Sequence, residues 1–351
     1  MKKPPVLLVL PSVPAHVAPD GRLRIDRKCH SGLLAYVDRW PGPVTAVFSP
    51  APAEQPGVHD TVPIDPDRCP YQLRLLEAGQ ALGVGHLAGA DVVLAAADDF
   101  RMLHVWDLCR QLRIKCVYTI EYIPETRHQI VQIENPQRLL RWRRQFFVWR
   151  AERARREALR RCDGLQANGV PAHDHYARSP NRMLYFDTRV QRRQLISAPA
   201  LAQRLARLEE RRPLHLAFSG RLIAMKGADH LVRVAARLRD LGVDARWTVY
   251  GVGDLEPEMR RQVALQGLQH AFRLAGSVDF DRELIPSIRE GVDAYVMLHR
   301  QSDPSCTYLE TLACGIPILG YDNRAWRGLL DRQDVGRSEE HTSELQSRLH
   351  L

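Results

Sequence analysis

The 351-residue chain lacks any apolar run near the roughly 20 residues that cross a bilayer as a helix; runs such as Val6 to Leu10 are strand-length. It also lacks paired cysteines. The seven present (Cys29, Cys69, Cys109, Cys116, Cys162, Cys306, Cys314) are scattered, odd in number and never in a C-x-x-C arrangement. That argues against a disulfide framework and a zinc site, and for a reducing cytoplasm. Internal repeats and low-complexity tracts are missing too. Met1-Lys2-Lys3 before Val6 to Leu10 is faintly like a signal peptide, but the apolar stretch is short and flanked by Pro4, Pro5 and Pro11; it reads as a first buried strand.

What is present is a globular composition on a chain long enough for two domains. The formal net charge is +9, and the segment 138–161 holds ten arginines against Glu152 and Glu157, leaving +1 for everything else. The basicity is therefore local. Strand-length apolar runs recur with helical stretches between them: Val6 to Leu10, Val44 to Phe48, Val92 to Ala95 and Cys116 to Ile120, then Leu214 to Phe218, Trp247 to Tyr250, Phe272 to Ala275, Ala294 to Leu298 and Ile316 to Gly320. This alternation predicts α/β structure with parallel sheets covered on both faces, and it occurs twice. Residues 1–190 and 214–336 form the two expected domains, and 191–213, with a helix over 200–210, connects them. Residues 337–351 bear no periodic relation to what precedes them and resemble a translated sequencing adapter; the expectation is that they are non-native, that the natural chain continues past Gly336, and that the second domain is incomplete.

The second half carries the sharper chemistry. Ser219-Gly220-Arg221 follows the strand 214–218, and Lys226-Gly227 opens a helix with apolar Leu231, Val234, Ala235 and Leu238. A ligand outside the carboxyl end of that strand would meet both cations; arginine forks two donors onto phosphate oxygens and lysine supplies a point charge. An exposed basic loop is the plain alternative. Glu310 lies near the start of a short helix predicted over 308–313, closed by Gly315 and Pro317. Amides at such a helix start attract phosphate, and Glu310 could accept hydrogen bonds from a ribose diol beside it, or merely complement the helix dipole. Gly251-Val252-Gly253 adds a turn where backbone can approach a ligand.

Taken in order, Ser219-Gly220-Arg221, Lys226-Gly227, Gly251-x-Gly253 and Leu309-Glu310-Thr311-Leu312-Ala313-Cys314-Gly315-Ile316-Pro317 resemble the family 4 retaining glycosyltransferases, well over 214–336 and only in outline before that. The resemblance implies a GT-B architecture, two Rossmann-like doubly wound domains facing across a cleft. It further implies that Arg221 and Lys226 hold the donor diphosphate, that Glu310 binds the ribose hydroxyls, and that transfer is retaining, with no metal and no cofactor beyond the nucleotide sugar. Gly220, Gly251, Gly253, Asp303, Ser305, Cys306, Thr307, Tyr308, Leu309 and Thr311 complete the expected donor site. The family carries a second glutamate eight positions before Glu310. Here that position is Ser302, with Asp303 next to it as the substitute carboxylate.

On the acceptor side the candidates are Gly32, in a turn after the first strand, and Glu121-Tyr122, after the strand 116–120. Asp65-Pro66-Asp67 matches a metal-binding D-x-D but lies in a proline-rich loop away from the donor half. In 138–161, Leu139, Trp142, Phe146 and Trp149 share one helical face among arginines. Such a face suits an anionic membrane surface, bringing a lipid-linked acceptor within reach; it equally describes a core helix with solvated arginines. The expected protein is a cytoplasmic glycosyltransferase, at the inner face of the membrane in the lipid-linked reading, acting in surface polysaccharide or glycoconjugate assembly. The alternatives are a noncatalytic nucleotide- or glycan-binding relative and a nucleic-acid-binding protein acting through 138–161.

Overall fold

The computed structural model describes residues 3–17, 22–52, 61–135, 137–210, 212–302 and 304–339. The chain divides into two units, one of Met1–Glu121, Gln145–Asn168 and Ala172–Tyr185, the other of Tyr122–Arg144, Gly169–Pro171 and Phe186–Leu351.

The first unit is built on seven parallel strands in the order Arg182–Tyr185, Gly164–Asn168, Lys115–Ile120, Val92–Ala96, Leu7–Leu10, Val44–Phe48, Gln72–Leu75. The chain starts in the interior of the sheet, builds outward on one side, and then crosses to build on the other, which is a doubly wound topology. Leu7–Leu10 and Val44–Phe48 are buried at every position, as strands covered on both faces must be. A small mixed sheet of Ala15–Val17, Leu23–Asp26, Pro50–Pro52 and Thr61–Ile64 is appended; its strands are too short to stand out as apolar runs. Asp26 then caps the helix Arg27–Arg39, its Oδ1 accepting the Cys29 amide at 2.8 Å.

In the second unit six parallel strands run in the order Phe272–Gly276, Ala245–Tyr250, Leu214–Ser219, Ala294–Met297, Ile318–Tyr321, Gly336–Glu339. Side chains alternate across a strand, so Leu216 and Phe218 join one core with Ala228, Leu231 and Ala235, while Ala217 joins the opposite core with Tyr295, Tyr308 and Trp326. Two cores on opposite faces of one sheet define the doubly wound half. All seven cysteines are unbridged.

The domain boundaries differ from those read in the sequence. The segment 191–213 is built into the second unit: Ile196 donates its amide to Ala313 O at 2.8 Å, and the buried Arg204 guanidinium donates to Cys314 O at 2.6 Å, Gly315 O at 3.1 Å and Arg289 O. Cations belong at such helix-terminal carbonyls. Residues 122–144 also group with this unit, where Thr126 Oγ1 donates to Ser302 O at 3.4 Å and Arg324 pairs with Glu125 at 3.3 Å. The first residues of the segment read as an adapter-like tail take part in the sheet. Gly336–Glu339 pairs in parallel with Ile318–Tyr321, because a parallel edge is made by backbone and tolerates polar side chains. Residues 340–351 lie outside the described residues.

Candidate nucleotide-binding site

The order of the second sheet reverses between Leu214–Ser219 and Ala294–Met297, and in open α/β sheets ligands bind outside the carboxyl ends of the strands at that switch point. Three loops leave the sheet there, and backbone hydrogen bonds hold them side by side. Gly220 N donates to Tyr250 O at 3.1 Å, Leu222 N to Val252 O at 2.9 Å, and Arg300 N to Met225 O at 3.3 Å. Gly251 has φ +119°, and a Cβ there would fall 2.0 Å from Gly220 O. A Cβ on Gly253 would fall 2.5 Å from Leu222 O, so the predicted Gly251 and Gly253 serve the approach of these loops to the one that carries the predicted Gly220.

Arg221 and Lys226 belong to the first of these loops. Arg221 is exposed; Lys226 is half-buried and ends the single 3₁₀ turn Ala224–Lys226. Gly227 follows in the left-handed region and begins the helix Ala228–Asp240.

Glu310 lies on the helix Cys306–Ala313, which begins two residues earlier than predicted. It therefore falls in the second turn, where complementing the dipole no longer accounts for it. Its carboxylate is 3% exposed, and a buried charge needs a partner. Arg189 supplies it: Nε donates to Glu310 Oε1 at 3.0 Å, and the guanidinium lies over the Phe280 ring, 4.0 Å from its centroid. Sequence reasoning missed Arg189. It sits 121 residues from Glu310 in no motif.

At the start of this helix Ser305 makes no side-chain cap; its hydroxyl donates instead to Thr307 Oγ1 at 3.3 Å. Ser305, Cys306, Thr307 and Leu309 are half-buried. Two predicted contacts are corrected. The Tyr308 ring is buried against Trp326, centroids 5.3 Å apart and planes 5° from parallel, and its hydroxyl accepts from Asn323 Nδ2 at 3.2 Å; only its backbone can face a ligand. Thr311 is fully buried, because helical periodicity turns it to the same core as Tyr308. Ser302, at the position of the family's other glutamate, is also buried, its Oγ accepting the Arg324 amide at 3.2 Å where the helix Arg324–Leu330 begins. Asp303 lies outside the described residues.

Among the acceptor candidates, Gly32 is corrected: it sits inside the helix Arg27–Arg39, not in a turn. Glu121 is tied into the first unit, its amide donating to Asp98 Oδ2 at 2.8 Å and its Oε1 accepting from Asn168 Nδ2 at 2.9 Å. Tyr122 is half-buried and counts with the second unit. Asp65 spends a carboxylate oxygen on the Asp67 amide, at 3.1 Å, capping a short 3₁₀ turn.

Arg138–Arg161 is one 24-residue helix with two characters. Toward its end Glu152, Arg155, Ala158 and Leu159 are buried; Arg155 donates to Glu152 at 2.9 Å and to Ala97 O at 2.8 Å. Toward its start Leu139, Trp142, Phe146, Phe147 and Trp149 are exposed, Trp142 at 67%. The core reading holds for the end of the helix and not for its start.

Two parallel, doubly wound units are the GT-B architecture. Over its second half, at residues 213–340, the chain matches the model of the glycosyl transferases group 1. The chain is 29% identical over 120 residues to the GtfA subunit of the UDP-N-acetylglucosamine–peptide N-acetylglucosaminyltransferase of Streptococcus gordonii, covering 33% of this chain and 22% of that one. It is 26% identical over 138 residues to the alpha-D-kanosaminyltransferase of Streptomyces kanamyceticus, covering 38% and 35%. The chain thus spans between a fifth and about a third of the curated relatives it matches. Among solved structures, Anabaena HepE in complex with UDP aligns over 99% of this chain and 89% of its own, with a TM-score of 0.63 at 14% identity.

Proposed function

We propose that the protein is a retaining glycosyltransferase that moves a sugar from a nucleoside diphosphate donor to a glycan or lipid-linked acceptor, in the cytoplasm, during surface polysaccharide or glycoconjugate assembly. The observation that carries the reading is the buried, cation-paired Glu310 carboxylate on a helix at the switch-point edge of a group 1 domain. A buried carboxylate that accepts hydrogen bonds suits a ribose diol. In this reading Arg221 and Lys226 take the charge that develops on the leaving diphosphate, a role in which positioned donors lower the barrier, and the amides of Ser305 to Tyr308 face the phosphates.

The exposed start of the basic helix supports a peripheral contact with anionic membrane. Arg138, Arg143, Arg144 and Arg150 are exposed beside Trp142, Phe146 and Trp149; ring burial and charge attraction then act together. That contact would serve a lipid-linked acceptor. A second reading, a noncatalytic nucleotide-binding relative, is favoured by Ser302, whose hydroxyl is committed to the Arg324 amide.

Turnover separates the two readings. Incubated with UDP-, GDP- and ADP-sugars, the enzyme should release the nucleoside diphosphate from one of them, and Glu310→Ala should abolish the release. Nucleotide binding without release from any donor favours the noncatalytic relative.

A further inference from the structure

The Glu310 carboxylate is buried, yet a ribose diol needs it charged, oriented and with lone pairs to spare. A carboxylate has about four acceptor sites on its two oxygens. The structure shows one of them occupied, by Arg189 Nε on Oε1 at 3.0 Å; the remaining sites include all those of Oε2. The guanidinium is itself held from two sides. It lies over Phe280 at 4.0 Å, a contact that fixes its plane. The residue after Phe280 is tied to the segment after Arg189, since Gln194 Nε2 donates to Asp281 Oδ1 at 2.6 Å and Gln191 N to Gln194 Oε1 at 2.7 Å. Asp279 in turn accepts the amides of Asp281 at 3.0 Å and Arg282 at 2.8 Å, which fixes the turn that carries the ring.

We propose that Arg189 is a positioning residue for the nucleotide's ribose: it holds the Glu310 carboxylate in one rotamer, so that the 2′- and 3′-hydroxyls both donate to it, and it stays in place when the nucleotide binds. This rests on the reading of Glu310 as the ribose-binding carboxylate. The cation supplies the partner that a buried charge requires. The single Nε contact, rather than a two-pronged fork, leaves the other acceptor sites to the ligand. Lysine in its place would keep charge but lose the planar contact with Phe280, so Arg189→Lys should fall between wild type and Arg189→Met.

The test compares binding of uridine, guanosine and adenosine diphosphates with their 2′,3′-dideoxy counterparts by calorimetry, in the full chain and in Arg189→Met, Arg189→Lys and Glu310→Gln. For the diphosphate that binds, wild type should prefer the diol by roughly ten- to a hundredfold, as expected of hydrogen bonds to a charged group. The preference should shrink to within about threefold in Arg189→Met and Glu310→Gln and be intermediate in Arg189→Lys, while the affinity of the dideoxy ligand stays close to wild type. A merely structural role would weaken both ligands together, and that result overturns the inference. So does tighter diol binding in Arg189→Met, which would make the guanidinium a competitor for the carboxylate. A full diol preference in Arg189→Met with loss in Glu310→Gln overturns the role of Arg189 alone. Absence of diol preference in wild type overturns the reading of Glu310 on which it rests.

Discussion

Gly227 stands against the carbonyl of Leu298: a Cβ on Gly227 would lie 2.0 Å from Leu298 O and 2.6 Å from Leu298 Cβ. The backbone there has φ +70°, in the region that only glycine enters freely. The contact joins the Lys226 loop to the carboxyl end of the neighbouring strand, so the position of the lysine is set by the absence of a side chain on the next residue. Gly227→Ala should cost more than about 2 kcal/mol of stability through strain and overlap together. Chemical denaturation measures this, and an unchanged midpoint would mean that the loop has another support.

Lys226 itself is a half-buried residue at the end of a single turn. Lys226→Ala should lower kcat/KM roughly a hundredfold to a thousandfold, the range for removing one donor to developing charge, with the melting temperature nearly unchanged. Steady-state kinetics beside a thermal melt separates the two effects. A fully active variant contradicts the assignment of the diphosphate to this loop.

The acid limb of stability should depend on Asp293. Burial pushes its carboxyl upward, but hydrogen bonds from Arg212, at 2.6 and 2.8 Å, and from the His215 amide, at 2.8 Å, outweigh burial and hold it below its ordinary value of 3.8. A carboxylate with a depressed folded pKa contributes stability that is present above the unfolded value and is lost as pH falls through the folded one. Asp293→Asn should therefore destabilise at neutral pH and flatten the decline below about pH 4. Urea unfolding from pH 2 to pH 7 reads this directly.

Vesicle binding tests the exposed start of the basic helix. Trp142→Glu with Phe146→Glu should reduce sedimentation with anionic vesicles by more than about tenfold, each ring being worth a kcal/mol or more on burial, and leave nucleotide affinity untouched. Retained binding would move the contact to another surface.

Much of the second unit was legible in the sequence because its strands are buried on both faces and read as continuous apolar runs, from Leu214 to Phe218 through Ala294 to Leu298. Edge strands were not. Gln72–Leu75, Arg182–Tyr185 and Gly336–Glu339 carry polar side chains because an edge needs no apolar face, so backbone pairing alone defines them. The glycines at 220, 227, 251 and 253 were legible as turns, but not that 227, 251 and 253 make room for another loop's backbone. The helix holding Glu310 starts two residues before Tyr308, at Cys306, and Ser305 at its N-cap was the start signal the sequence offered. Arg189 left no trace at all: its partnership with Glu310 exists only once the segment after Tyr185 folds onto the second sheet. Ser302 could be read as a missing glutamate but not as the acceptor that begins a helix.

In the proposed function Glu310 binds the sugar diol of a nucleoside diphosphate. Calorimetric titration of the protein and of Glu310→Ala with UDP, GDP and ADP tests it most directly. Binding of one diphosphate that weakens at least about tenfold in Glu310→Ala, as loss of hydrogen bonds to a charged group requires, is the predicted result. Equal affinity in the two proteins, or no binding of any diphosphate, would contradict it.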